Sequence, residues 1–175
     1  MKFVALLRGI NVGGNKKVEM GKLKSIFEQM GFKNVKTILN TGNVIFESAE
    51  KSTDKLSTKI FGQLQKSFGF EIGTIVVPIA EIQKLAEENP FKKIKVHEKI
   101  RLYVTFLPKN PKGKLKLPYR SENKSFAVFM QTPLAVFSVL DLSDAHTPEV
   151  MEILDKTYGK EITTRNWNTV LKFLK

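Results

Sequence analysis

Two polar blocks near opposite ends of the chain carry the residues best suited to hold a ligand. The first runs through Arg8, Asn11, Gly13, Gly14 and Asn15 and is joined by Asn40, Thr41 and Asn43 further on. A guanidinium and the backbone N–H groups of a glycine-rich loop suit an anion, and carboxamides suit the edge of a base or another carboxamide. The second block is Thr163-Thr164-Arg165-Asn166-Trp167-Asn168. Thr163 or Thr164 can cap the helix that follows, whose first N–H groups favour an anion. Arg165 can grip a phosphate or carboxylate with two parallel hydrogen bonds, and Trp167 can stack on a base. The same residues have purely structural uses. Gly13, Gly14 and Gly42 supply positive φ, and the Asn side chains cap their own turns. Trp167, Val170, Leu171 and Leu174 form the core stripe of a helix, with Arg165 paired to a carboxylate.

Several chemistries are excluded by residue type and spacing. Gly9 and Gly14 have the separation of a P-loop, but Asn15 stands between Gly14 and Lys16 and no Ser or Thr follows the lysine. A GxGxxG fingerprint, an HExxH and a GxSxG are all missing. Cysteine is absent, which removes thiolate nucleophiles and cysteine metal sites. The two histidines, His97 and His146, read as surface or loop residues, and Asp141, Asp144 and Glu149 flank a turn and a helix start where capping accounts for them. The block Lys124–Phe129 lacks the glycine of the RNA-recognition motif, and its Phe126 and Phe129 point to opposite faces of a strand. No metal and no cofactor are expected.

The elements that must position these blocks follow from periodicity. Phe3–Leu7 is short, continuous and apolar, a strand buried on both faces. Met20, Leu23, Ile26, Phe27 and Met30 recur at helical spacing, and Gly31 stops that helix. Val35–Leu39 and Val44–Glu47 form a hairpin around Thr41-Gly42. Ser52 or Thr53 caps a helix with Leu56, Ile60, Leu64 and Phe68 on one stripe, which ends at Gly69. Ile72–Val77 is the next strand. The order βαββαβ is the split βαβ, or ferredoxin-like, plan over residues 1–78. In that plan the third strand lies between the first and second, which puts the Gly9–Asn15 loop beside the Asn40–Asn43 turn. Residues 79–99 read as a connecting helix and linker. From 100 to 175 the order repeats in degenerate form: strand Ile100–Leu107, a lysine-rich loop Pro108–Lys124 in place of the first helix, the hairpin Phe126–Met130 and Leu134–Leu140, a helix opened by Thr147-Pro148, a short strand at Ile162-Thr163, and a terminal helix Asn166–Leu174. The fold class is therefore α+β, two tandem ferredoxin-like subdomains formed by duplication, each an antiparallel sheet with helices on one face.

LLRGINVGGNKKVEMGKLKSIFEQMGF, TGNVIF and ITTRNWNTV together resemble the bacterial domain-of-unknown-function family number 1697. The family's motifs fall here on Leu7–Gly14, Thr41–Phe46 and Thr163–Thr169. Thr41 stands where the family often has serine, which keeps a hydroxyl, and Gly21 replaces a better helix former. The resemblance implies two ferredoxin-like subdomains and brings no activity, cofactor or catalytic residue with it.

Charge bears on function. Between Lys92 and Lys124 eleven basic residues face only Glu98 and Glu122, a net +9 of the chain's +12. Such a segment is either an electrostatic footprint for a polyanion or a solvated loop. The first functional reading is a protein that binds a phosphate-bearing ligand, nucleic acid or a nucleotide, through this basic, Gly/Asn-rich surface. An alternative is an enzyme acting on a small anionic metabolite at the cleft between the subdomains, held by Arg8, the Asn40–Asn43 turn and Arg165. A third is a protein-interaction module using an open sheet edge. The apolar run Phe3–Leu7 is too short for a signal-peptide core or a membrane span, so a cytoplasmic protein with no membrane partner is expected.

Overall fold

The computed structural model describes residues 1–14, 16–143 and 147–175, and no side chain among residues 147–151. The chain is α+β, with two antiparallel sheets and helices, and divides into two compact units: residues 1–84 with 172–175, and residues 85–171.

In unit 1 the order is β1 (Lys2–Leu7), α1 (Met20–Gln29), β2 (Lys33–Ile38), β3 (Asn43–Glu47), α2 (Thr53–Phe68) and β4 (Thr74–Pro78). The sheet runs β2-β3-β1-β4 with every neighbour antiparallel. Phe3, Ala5 and Leu7 of β1 pack with Leu23 and Phe27 of α1 and with Leu56, Ile60 and Leu64 of α2. Val4 and Leu6, on the opposite face of β1, are buried as well, as a continuous apolar run requires. Phe46 centres an aromatic cluster with ring centroids 4.5 Å from Phe32, 5.6 Å from Phe27 and 5.7 Å from Phe3. Helix α2 has both expected ends. The Ser52 hydroxyl accepts from the Lys55 N–H at 3.3 Å, and Gly69 at φ 78 gives a left-handed stop.

Helix α3 (Ile79–Glu88) follows, and the boundary between the units falls inside it. Unit 2 contains β5 (Ile100–Phe106), β6 (Tyr119–Arg120), β7 (Phe126–Gln131), β8 (Ala135–Asp141), α4 (Thr147–Tyr158), β9 (Thr163–Asn166) and α5 (Trp167–Leu171), which runs on into a single 3-10 turn, Lys172–Leu174. The sheet order is β6-β7-β8-β5-β9, all antiparallel. One face packs Phe126, Val128, Val136 and Leu140 against Leu154 and Tyr158 of α4. Elsewhere in the unit Phe91 gathers Phe129, Phe137 and Trp167 at 5.5, 6.0 and 5.4 Å.

Most strand ends shift by one or two residues from the sequence expectation, and two further differences fall in unit 2. The short strand expected at Ile162-Thr163 is displaced to Thr163–Asn166, so the terminal helix starts at Trp167 rather than Asn166. The β-branched pair Thr163-Thr164 extends alongside β5, and Asn166 is the last residue that pairs with it. The lysine-rich loop also holds a two-residue strand, β6, because Tyr119 and Arg120 pair with Val128 and Ala127 and prolong the β7 edge. Gly159 stops α4 at φ 94 as expected. Helix α4 does open at Thr147, but the expected cap and proline at Thr147-Pro148, and the readings of Asp144, His146 and Glu149, lie outside the described residues and side chains. The described helices include none long and apolar enough to cross a membrane.

One core position is out of keeping with its surroundings. Ser138 is fully buried at the centre of β8, between Tyr103 and Val128, and its hydroxyl has no hydrogen-bond partner among the described residues. An unsatisfied buried hydroxyl costs about 1–3 kcal/mol. Ser138→Ala is therefore expected to stabilise the protein by about 1 kcal/mol. Denaturant unfolding followed through the emission of Trp167, in the same unit, measures this, and a lowered midpoint would show that the hydroxyl is satisfied.

Candidate functional site

The rim of unit 1 is assembled by backbone bonds that join three loops. Leu7 N–H donates to Gly42 O at 2.7 Å, and Arg8 N–H donates to Gly73 O at 2.8 Å. The Gly9–Lys17 loop thus lies beside the Asn40–Asn43 turn, as the strand order predicts. Asn11 fastens them. Its Nδ2 donates to Val18 O and to Asn40 O, each at 2.9 Å, and its Oδ1 accepts from Val18 N–H at 2.8 Å. The backbone there is left-handed, with φ 56 at Asn11, 62 at Gly13 and 79 at Gly14. Lys16 reaches across to Glu71 O at 2.9 Å. Gly42 is required twice over. Its φ is +77, and an added Cβ would sit 2.8 Å from Leu7 Cβ and 2.9 Å from Ile10 Cδ1.

The amides expected to face a ligand here are largely engaged by the protein itself. Asn11 uses both N–H bonds and its oxygen. Asn43 is fully buried, and its Nδ2 donates to Ile38 O at 2.9 Å and Thr41 Oγ1 at 3.1 Å. Gly13, Gly14, Asn40 and Thr41 are exposed, and Arg8 is half-buried. Asn15 lies outside the described residues.

In unit 2 the second block splits by strand parity. Thr164 Oγ1 shares a 2.9 Å hydrogen bond with Thr105 Oγ1 across β5 and β9. Arg165 projects to the other face and is only 8% exposed. Its Nη1 donates to Thr163 Oγ1 at 2.8 Å and Thr164 O at 2.9 Å. Burial pushes the guanidinium pKa down to about 10, so it keeps its charge at neutral pH. The expected threonine cap is corrected: both threonines are strand residues, and the start of α5 is held instead by Asn166 Oδ1, which accepts from Asn168 N–H at 2.9 Å.

Beside this junction lies a groove of about 320 Å³ lined by Val96, Ile100, Arg101, Leu102, Asn166, Trp167 and Asn168. It arises from unequal strand lengths. Strand β9 pairs only with Tyr103–Phe106, so Ile100–Leu102 run past its end while the chain turns away into α5. Arg101 closes part of that edge, its Nη1 donating to Glu98 O at 2.7 Å and Ile100 O at 3.1 Å. Sequence reasoning placed Asn166, Trp167 and Asn168 in one polar block but missed Val96, Ile100, Arg101 and Leu102 as their neighbours. The available signal was the length mismatch between the apolar–polar alternation of β5 and the short TTRN strand.

Hydrogen bonds from Ser143 hold the Asp141 carboxyl below its usual range, consistent with a turn-capping role. Among the described residues no group of three or more His, Cys, Asp or Glu side chains is placed to hold a metal ion.

Fold and sites together define an α+β protein of two sheets with a glycine-rich rim in one unit and an amide-lined groove in the other. The chain belongs to the family described as "Protein of unknown function (DUF1697)", which matches residues 1–125. That match takes in the Leu7–Gly14 and Thr41–Phe46 blocks and ends before Thr163–Thr169. No curated protein matches the chain. Among solved structures it is similar to the conserved bacterial protein SP0830 from Streptococcus pneumoniae, at 20% identity and a TM-score of 0.68, over 98% of this chain and 95% of that one. At that identity the likeness is one of fold alone.

The Asn11 clasp makes a direct prediction. Loss of three hydrogen bonds in Asn11→Ala should cost about 2–3 kcal/mol of stability. Asn11→Gly loses the same bonds but accepts the left-handed backbone, so it should be about 1 kcal/mol less damaging. Thermal unfolding by circular dichroism ranks the two, and equal losses would show that the backbone conformation carries no strain.

Proposed function

We propose that the protein binds a phosphate-bearing polyanion, nucleic acid foremost and a nucleotide as its smaller counterpart, through the basic segment Lys92–Lys124. The observation that carries this reading is the exposure of that segment's charge: every lysine in it, and Arg120, is exposed, and Arg101 is half-buried. The segment is also fastened rather than loose. Lys112 N–H donates to Tyr158 O at 3.1 Å, Leu115 N–H donates to the Tyr158 hydroxyl at 3.2 Å, and that hydroxyl donates to Gln131 Oε1 at 2.9 Å. At Gly113 a Cβ would come within 2.7 Å of Thr157 O, so the backbones pack as closely as glycine allows. Backbone held in place at residues 112–115 spares part of the ordering cost of meeting phosphates. In unit 1 the exposed Gly13, Gly14, Lys16 and Lys17 offer a second, smaller anion surface.

The same proposal reads the units as tandem ferredoxin-like (split βαβ) subdomains that arose by duplication. Unit 1 supports this with βαββαβ order and the arrangement β2-β3-β1-β4. In unit 2, β5, β7, β8 and β9 take the corresponding positions, in the order β7-β8-β5-β9. Strand β6 is an addition at the edge, and the basic loop runs where a first helix would.

The expected outcome is retention on heparin and binding of single-stranded DNA at low salt. Log affinity should fall linearly with log salt, with a slope of roughly −0.7 per phosphate neutralised. Replacing Lys92, Lys93, Lys95 and Lys99 together by serine should flatten that slope and leave the melting temperature unchanged. A salt-independent affinity, or no binding at low salt, would overturn the proposal.

A further inference from the structure

We infer that the groove between the start of β5 and the β9–α5 junction seats one unstacked nucleobase of a single-stranded nucleic acid whose backbone runs over the adjacent lysines. The inference rests on the polyanion reading above and adds a base-contacting site to it. The groove, about 320 Å³, has room for one base with its sugar and lies at the small end of ligand pockets. Ile100 and Leu102 supply apolar wall for a ring face, and Trp167, 6% exposed with its ring packed on Phe91, forms the floor. The exposed carboxamide of Asn168 offers one acceptor and two donors to a base edge. Asn166 turns its oxygen to Asn168 N–H and keeps its amide hydrogens for an acceptor. Arg101 has Nη1 on backbone carbonyls and retains Nη2 and Nε for a phosphate.

Charge selects the occupant. Ile100 and Arg101 belong to the stretch Lys92–Arg101, where Lys92, Lys93, Lys95, Lys99 and Arg101 face only Glu98. A free mononucleotide needs one or two cations, whereas the whole segment presents eleven basic residues against two glutamates, which suits a strand. A base in a duplex is paired and stacked, so only a single strand can lower one into a groove of this size without first breaking a pair.

Trp167 is the chain's single tryptophan, so its emission reports on this groove. A 12-residue oligo-dT titrated at low salt should quench it, after correction for absorbance. An abasic oligomer of the same length should bind about tenfold more weakly and leave the emission unchanged, because each stacked base contributes about 1–3 kcal/mol. Asn168→Ala should weaken oligo-dT several-fold while barely affecting the abasic oligomer. Equal affinities for the two oligomers with unaltered emission would overturn the base site and leave the polyanion reading standing. Equal quenching by a duplex, or full quenching by free thymidine monophosphate at the same concentration, would overturn the assignment to a single strand. Failure of both oligomers and of heparin to bind would remove the polyanion reading itself.

Discussion

Unit 1 closes its rim only because position 42 carries no side chain. With a Cβ there, Leu7 and Ile10 would be met at under 3 Å, and the backbone would have to move. Without one, the turn settles against the end of β1 and Leu7 N–H reaches Gly42 O. That bond continues the antiparallel register in which Leu6 faces Asn43, one residue past the last strand pair. The loop after β1 then leaves at a height where Asn11 meets Asn40 O and both backbone groups of Val18. A single missing carbon thus fixes the turn, the register and the path of the glycine-rich loop, in that order.

Unit 2 answers to electrostatics more than to sterics. Gathering eleven cations in one segment raises their mutual repulsion, which a loose loop would relieve by spreading. Here the segment is tied at Lys112 and Leu115 to Tyr158, a residue whose ring is core and whose hydroxyl is both donor and acceptor. Arg165 is the opposite case. It is a cation removed from water, and the oxygens of Thr163 and Thr164 supply part of the hydrogen bonding that such burial demands. Its charge serves the β9 backbone and has little surface left for a solute.

The sequence was a good guide wherever one residue type had one physical use. The continuous apolar run of β1, the helical stripe of α2 between Ser52 and Gly69, and the glycine stops at Gly31 and Gly159 all appear where patterning put them. The meeting of the Gly9 loop with the Asn40 turn followed from strand order. What patterning could not show was how the asparagines were employed. A carboxamide on a loop can face solvent or bond its own backbone, and Asn11 and Asn43 do the latter through partners set by tertiary contact. The groove was hidden for a related reason. It comes from a seven-residue β5 beside a four-residue β9, and such an offset belongs to the pairing of strands rather than to either strand alone.

The two polar blocks therefore differ in what they leave over. On the rim of unit 1 the amides of Asn11 and Asn43 are engaged internally, so an anion there would be met by exposed glycine backbone, lysine ammonium groups and the exposed side chains of Asn40 and Thr41, with Arg8 half-buried beside them. At the β9–α5 junction one amide, Asn166, shapes the turn, while the next, Asn168, stands exposed beside apolar wall and a half-engaged guanidinium. Selectivity for one chemical group over another needs directional donors and acceptors next to a surface that excludes water. Among the described residues that combination occurs at the groove, whose amide wall lies beyond residue 125, past the residues that the family match covers. The likeness to SP0830 at 20% identity is one of backbone alone, so any selectivity at the groove would rest on Asn168, Arg101 and Leu102 themselves.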